Sequence, residues 1–372
     1  MNKADINQFR SGMQITGTNK LYLDHAAMSP LHDAVVSKIT GFHSYRQQEG
    51  ADFSNWWTEV EETRASIGKW IQADPKQIAF LWNTSAGINL AAMGLPIKEG
   101  DEIIITDLDF PSNVYPWIHA AREKNAAVKT VKHKDHYLSA DDIIHAVSER
   151  TKVISISWVN ATNGNKLDVE KLGSFCRENN IYFVIDAIQG FGTDDLNLMK
   201  VYADIVVSGF FKWLMGPDGL SFVYVSERAL QEMQAPWIGW ASMEDKFNYE
   251  DMIYNPSQAA SRFETGNMNF SAITGAHEAL KQLYPIRKDI YDRITLLTKR
   301  LRSGLDSIPN VTVKSPENTI SGITLFTGRD KSFYDDLQIA VNYRSGIRVS
   351  PHFYNTEEEV DRFLNLTELN NK

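Results

Sequence analysis

The stretch Ile181-Tyr-Phe-Val-Ile-Asp186-Ala-Ile-Gln189, followed by Asp204-Ile-Val-Val-Ser208-Gly-Phe-Phe-Lys212-Trp-Leu-Met-Gly216, decides the fold. It holds two short apolar runs, 181–185 and 204–207, and each leads straight into polar residues. Before them, residues 153–158 form another apolar run, and residues 169–179 have helical spacing. Strands that alternate with helices predict βαβ units and a mostly parallel sheet. Working outward, residues 78–82 (IAFLW) and 102–106 (EIIIT) read as buried strands, and 220–225 (LSFVYV) as one more. Residues 85–93 have the composition of a helix, as do 113–125, where Pro116 is acceptable only in the first turn.

The last hundred residues have a different pattern. Residues 276–306 carry two long helical patterns, and 311–313, 322–326 and 347–349 are short, separated strands. Helical patterns at 332–341 and 356–366 fill the gaps. The expected organisation is therefore α/β: a large domain over residues 15–265, and a smaller α+β domain over 266–372 with residues 1–14 packed on it. No linker-like stretch marks the boundary.

Composition narrows the function classes. The chain has 372 residues, 43% apolar and 23% charged, which suits one large or two ordinary globular domains. Lys and Arg number 38 against 47 Asp and Glu, a net charge of −9 without a basic cluster, which argues against nucleic-acid binding. The one cysteine, Cys176, forms no intramolecular disulfide and rules out a multi-cysteine metal site, so no metal is expected. No apolar run approaches the roughly 18 residues of a membrane helix. The first residues, Met1-Asn2-Lys3-Ala4-Asp5, are polar and lead into no apolar segment, so a cytoplasmic protein away from membranes is expected.

In open parallel sheets, ligands sit beyond the carboxyl ends of the strands. Asp186 stands at such an end, where a carboxylate can pair with a protonated ring nitrogen; Gln189 can reach a neighbouring ring oxygen. Capping a turn is the plainer role for Asp186. Lys212 is flanked by Phe210, Phe211, Trp213 and Leu214. Burial favours its neutral amine, the form that makes a Schiff base, although a lysine can also bury its stem and keep its head in water. Asn83-Thr84-Ser85-Ala86-Gly87 opens a helix after the IAFLW strand, suited to a phosphate or simply to an N-cap. In Asp109-Phe110-Pro111, Phe110 can stack on a planar ring or staple a helix start.

In this order of motifs the sequence resembles the class V aminotransferase group of pyridoxal-phosphate (PLP) enzymes of fold type I, which includes cysteine desulfurases, selenocysteine lyases, kynureninases and isopenicillin N epimerase-like proteins. The resemblance runs from Leu21-Tyr-Leu-Asp-His-Ala-Ala27 to the segment beginning Arg348-Val-Ser-Pro-His-Phe-Tyr354. It implies a mostly parallel sheet with helices on both faces, pyridoxal 5'-phosphate as cofactor, and a homodimer acting on a small amino acid. It implies that Lys212 carries the cofactor and moves protons, that Asp186 holds the pyridine nitrogen protonated, and that Gln189 contacts the 3-hydroxyl oxygen. Phe110 would stack on the ring. Thr84, Ser85 and the Ala86 amide would cradle the phosphate, with Ser208 as a further ligand. Asn267, and Trp240 beside it, would reach the partner subunit's phosphate. Arg348 would bind the substrate carboxylate, and His25 and Asn160 would contribute to specificity. Two departures stand out. Ser208 lies four residues before Lys212, where desulfurases have three. The cysteine-bearing loop that desulfurases place before the arginine is missing. The expected activity is therefore chemistry at Cα, epimerase-like or aminotransferase-like. A cysteine or selenocysteine lyase or C–S lyase is the alternative, and a non-catalytic PLP-binding sensor the reading from another class.

Overall fold

In the computed structural model of the protein, which describes residues 1 and 3–369, the apolar runs become strands. In chain order these are β1 (Leu21–Tyr22), β2 (Ile78–Leu81), β3 (Glu102–Thr106), β4 (Ala127–Val131), β5 (Thr151–Ser157), β6 (Tyr182–Asp186), β7 (Ile205–Gly209) and β8 (Ser221–Val225). Asn2 and residues 370–372, which fall at the outer ends of the expected domains, lie outside the described residues. Strands β2 to β8 form one sheet in the order β2-β8-β7-β6-β5-β3-β4. The pairs from β4 across to β7 are parallel, and β8 runs antiparallel between β7 and β2. From β4 the chain crosses back to β5 and then proceeds to β6 and β7, which puts a topological switch point between β3 and β5.

The central strands are continuous apolar runs because both of their faces are covered. Alternate residues enter two separate cores, as a two-residue period requires. Ile104, Ile154, Phe183 and Val206 pack with the helices Phe53–Ile71, Val169–Glu178 and Phe270–Leu283. Ile103, Val153, Val184 and Val207 pack with Thr84–Gly94 and Tyr115–Glu123. The expected parallel sheet with helices on both faces is the observed one.

A second antiparallel sheet, of β9 (Thr312–Val313), β10 (Thr324–Thr327), β12 (Asn342–Tyr343) and β13 (Ile347–Val349), has the order β12-β13-β10-β9. Between them in sequence, β11 (Ile339–Ala340) pairs in parallel with β1. Its core joins Leu297, Leu301 and Leu305 of Arg287–Asp306 to Val360 and Phe363 of Glu357–Leu369. The first helix, Lys3–Arg10, is tied to that last helix: Arg10 Nη2 meets Glu359 at 2.7 Å, and Arg10 Nη1 donates to the Tyr354 carbonyl at 2.8 Å. Phe270–Leu283, in contrast, belongs to the core of the large sheet. On this packing we propose that the two units divide at Tyr284–Ile286 rather than at residue 265.

One strand went unread and one expected helix is shorter, each for an identifiable reason. β4 (AVKTV) is an edge strand, and its polar, half-exposed side chains hide it from a search for apolar runs. The helix expected over 332–341 ends at Asp336; Gln338 turns the chain at φ +57°, and Ile339 then enters a strand. Among the described residues no helix is long and apolar enough to cross a membrane.

Candidate active site

The carboxyl ends of β2, β5, β6 and β7 open, together with the β12–β13 hairpin, onto one cavity of about 300 Å³. Asp186 closes β6 and is 4% exposed. Its Oδ1 accepts the Ile188 N–H at 3.1 Å. Burial raises its pKa, which that amide and the Lys212 charge oppose. Lys212 follows β7 and lines the same cavity. Phe210, Trp213 and Leu214 around it are buried, and its Nζ lies 5.6 Å from the centre of the Phe211 ring. Burial pulls the amine below the ordinary lysine range; Asp186 opposes this, and the charges of Arg348 and Arg344 add to it. The lysine head therefore points into a desolvated cavity rather than out into water.

At another wall the helix Thr84–Gly94 begins. Asn83 caps it, its Oδ1 accepting the Ala86 N–H at 2.8 Å. The helix sits so close to β7 that a Cβ on Gly87 would come within 2.4 Å of Val207 Cγ1, which is why this position is glycine. Thr84 Oγ1 is buried without a partner among the described residues, and Ser85 Oγ donates to Ser112 Oγ at 2.8 Å. The first amides of a helix have no intrahelical acceptor and carry a partial positive charge. An unpaired buried hydroxyl beside them is a polar group that a bound phosphate would satisfy. A buried carboxylate, a lysine whose pKa burial lowers and this helix start on a single cavity fit the ring nitrogen, aldehyde and phosphate of PLP.

Phe110 is half-exposed over this cavity. Its neighbour Asp109 fixes it there: the Asp109 carboxylate accepts from the Thr106 amide (3.0 Å), the Thr106 hydroxyl (2.8 Å) and the Ser157 amide (2.7 Å). Gln189 donates from Nε2 to the Ala26 carbonyl and accepts from Trp213 Nε1, both at 2.9 Å. One Nε2 proton remains to face the cavity. Arg348, on β13, is 1% exposed; Nη2 meets Asp24 Oδ1 at 3.0 Å, Nη1 donates to the Ala161 carbonyl at 2.7 Å, and Nε is buried without a partner among the described residues.

The remaining expected residues stand elsewhere. Ser208 points away from the helix start, because Val207 and Gly209 occupy the face of β7 that meets Thr84–Gly94. The Ala86 amide is already taken by Asn83. Asn160 is a loop brace: its Oδ1 accepts the amides of Thr162 and Asn163, and its Nδ2 donates to the Leu108 carbonyl. His25 is fully buried beside the cavity, where Nδ1 donates to the Ser350 carbonyl and Nε2 accepts from the Tyr354 hydroxyl, both at 2.7 Å. Trp240 and Asn267 are exposed and lie outside this cavity. Asp24, Asp109 and Arg344 were not anticipated as parts of the site. For Asp24, its place in the quoted segment 21–27 was the available signal; Arg344 stands four residues before the segment that begins at Arg348.

The model of the Aminotransferase class-V family matches residues 21–340. Among curated proteins, a probable cysteine desulfurase of Borreliella burgdorferi is 28% identical, over 92% of this chain and 90% of that protein. A probable cysteine desulfurase of Pyrococcus abyssi is 29% identical, over 83% and 82%. Among solved structures, the apo cysteine desulfurase of Thermococcus onnurineus superposes with a TM-score of 0.88 at 26% identity, covering 98% of this chain and 97% of that one. A C-DES mutant with glycine covalently linked to its PLP cofactor shares the fold, with a TM-score of 0.90 at 19% identity and coverage of 96% and 99%. A match over most of the chain, on a fold whose cavity presents the groups that PLP needs, places this protein in the class V aminotransferase family of PLP-dependent enzymes.

Proposed function

We propose that the protein is a carbon–sulfur lyase for cysteine-type amino acids, in which the sulfur departs with its own substituent rather than onto a protein thiol. One observation carries this reading: the cavity brings Lys212 and Arg348 together without a thiol. Cys176 is buried in the core on Val169–Glu178, and burial and the nearby Asp204 carboxylate push its thiol pKa up. A persulfide-forming desulfurase needs a thiolate that can approach the substrate sulfur. Only Arg344, Ser345 and Gly346 separate β12 from β13, so no long segment precedes Arg348. The desulfurase names of the relatives favour carbon–sulfur chemistry over the epimerase-like or aminotransferase-like reading.

Bound PLP supplies an electron sink for the charge that develops at the substrate Cα. Lys212 would hold the cofactor and, released by substrate as a neutral amine, take the Cα proton. Asp186 would keep a proton on the ring nitrogen through a charge-assisted hydrogen bond. Thr84 Oγ1 and the Thr84 and Ser85 amides would bind the phosphate, Phe110 would cover the ring against water, and the free Gln189 proton would meet the 3-oxygen. Arg348 would bind the α-carboxylate through Nε–H and its remaining protons. Lys212 would then return the Cα proton to the sulfur as it departs with the Cβ–S electron pair, and the enamine set free would hydrolyse to pyruvate and ammonium. A second reading, favoured by the relatives' names, passes sulfur from cysteine to an external thiol and yields alanine.

We further propose a two-fold dimer. Trp82, Trp240, Phe247, Tyr249, Met252 and Tyr254 are exposed, which is more apolar surface than a monomer ordinarily leaves in water. Asn267 and Trp240, turned outward here, would then complete the neighbour's phosphate site.

The experiment incubates the holoenzyme with cysteine and with S-methylcysteine and follows pyruvate and alanine, in wild type and Cys176→Ser. Pyruvate from S-methylcysteine, undiminished in Cys176→Ser, is expected. Alanine from cysteine with a persulfide on Cys176, both abolished by Cys176→Ser, would overturn the reading.

A further inference from the structure

We propose that Arg344 is a specificity determinant that recognises a second carboxylate, carried by the substrate beyond its α-carboxylate. The inference deepens the lyase reading and rests on it. Arg344 lines the same cavity as Lys212, Phe110 and Arg348. Its guanidinium has no hydrogen-bond or ion-pair partner among the described residues. Arg348 differs: it is buried and already tied to Asp24 and Ala161.

The position of Arg344 is built into the hairpin. Asn342 and Tyr343 pair with Arg348 and Ile347 in antiparallel register, so both arginines project from one two-stranded ribbon. Asn342 Nδ2 donates to Asp24 Oδ2 at 3.0 Å, and the Arg344 amide donates to the Gly346 carbonyl at 2.8 Å. Ser345 turns at φ +60°, and the backbone at Gly346 lies so close to β10 that a Cβ there would come within 2.6 Å of the Phe326 carbonyl oxygen. The charges that line the cavity are Asp186, Lys212, Arg344 and Arg348. Asp24 balances Arg348, and Asp186 faces Lys212, which leaves the Arg344 charge without a counterpart at the mouth. Its field reaches inward, since it helps to lower the pKa of both Lys212 and Arg348. A planar guanidinium with five unused donors is suited to a carboxylate. The substrate class is thus an S-substituted cysteine whose substituent ends in a carboxylate, either on the side chain itself or on a second linked amino acid.

The test compares wild type with Arg344→Gln in the holoenzyme. Half-saturation is measured by pyruvate release with S-methylcysteine, which has one carboxylate, and with S-carboxymethylcysteine and cystine, which have two. In parallel, calorimetry measures binding of the unreactive glutarate and butyrate. Arg344→Gln is expected to weaken the two-carboxylate compounds by about tenfold more than their one-carboxylate counterparts. The S-carboxymethyl and cystine arms show which of the two sources the site prefers. Equal losses on one- and two-carboxylate compounds, or loss of cofactor without a change in preference, would overturn the assignment. So would glutarate binding wild type no better than butyrate. Absence of pyruvate from every substrate would instead refute the lyase reading, and the glutarate comparison would still decide the role of Arg344.

Discussion

Replacing Arg348 by lysine keeps the charge and removes the fork. In the native protein Nη2 is engaged by Asp24 and Nη1 by the Ala161 carbonyl, so the substrate carboxylate must be met by the buried Nε–H and a remaining Nη proton. A lysine head has three donors on a single nitrogen. With Asp24 and Ala161 still to be satisfied, it can offer the carboxylate one bond where the arginine offers two. Losing one hydrogen bond to a charged group costs about 1.5–3 kcal/mol, which is about a 10- to 150-fold rise in half-saturation. Turnover should change far less, because the Cα proton is handled by Lys212. Steady-state pyruvate release from S-methylcysteine gives both numbers, and urea unfolding checks the fold. Arg348→Ala should additionally destabilise the protein, because it strands the Asp24 carboxylate in a largely buried place. An Arg348→Lys enzyme with wild-type half-saturation would refute the assignment of the α-carboxylate to this residue.

Two further predictions concern buried histidines and exposed apolar surface. Desolvation pushes the pKa of His25 down to about 4 and that of His352 well below its ordinary value, so both are neutral when folded and protonate on unfolding. Below about pH 6.5 the unfolded chain then binds more protons, and stability falls by about 1.4 kcal/mol per histidine per pH unit toward the folded pKa. It is fully present above that range. Urea midpoints near neutral pH and at about pH 5 should show the drop, and a His25→Asn variant with the same pH slope as wild type would contradict it. For the dimer, sedimentation of the holoenzyme should give a two-subunit species, and Met252→Glu, which places a charge on the exposed apolar surface, should yield monomers that lose cofactor on dilution; a wild-type monomer that retains cofactor fully would count against it.

The sheet was legible because strands covered on both faces are plain apolar runs, and Asp186 and Lys212 were legible because they follow two such runs directly. β4 was not, since an edge strand keeps polar side chains. Ser208 shows a finer limit: one residue along a strand decides which face a side chain takes, and the spacing of four to Lys212 was the only hint that it would face away. His25 and Asn160 lie in segments near the cavity, but backbone groups claim the polar atoms of Asn160, and the Ser350 carbonyl and Tyr354 hydroxyl claim those of His25, which sequence order does not reveal. The pairing of Asp24 with Arg348 spans 324 residues and depends on β1 lying beside β11 and Asp24 bridging to Ser350, a contact visible only in the folded chain. Arg344 was passed over because an exposed turn arginine has the same appearance in sequence whether it faces solvent or a cavity.

The measurement that bears most directly on the site is the identity of the lysine that holds the cofactor. Borohydride reduction of the yellow holoenzyme, proteolysis and mass spectrometry should place PLP on the peptide that contains Lys212, and Lys212→Ala should bind cofactor without covalent attachment. Label on any other lysine, or unlabelled Lys212 in fully loaded enzyme, would contradict the assignment of this cavity as the catalytic centre.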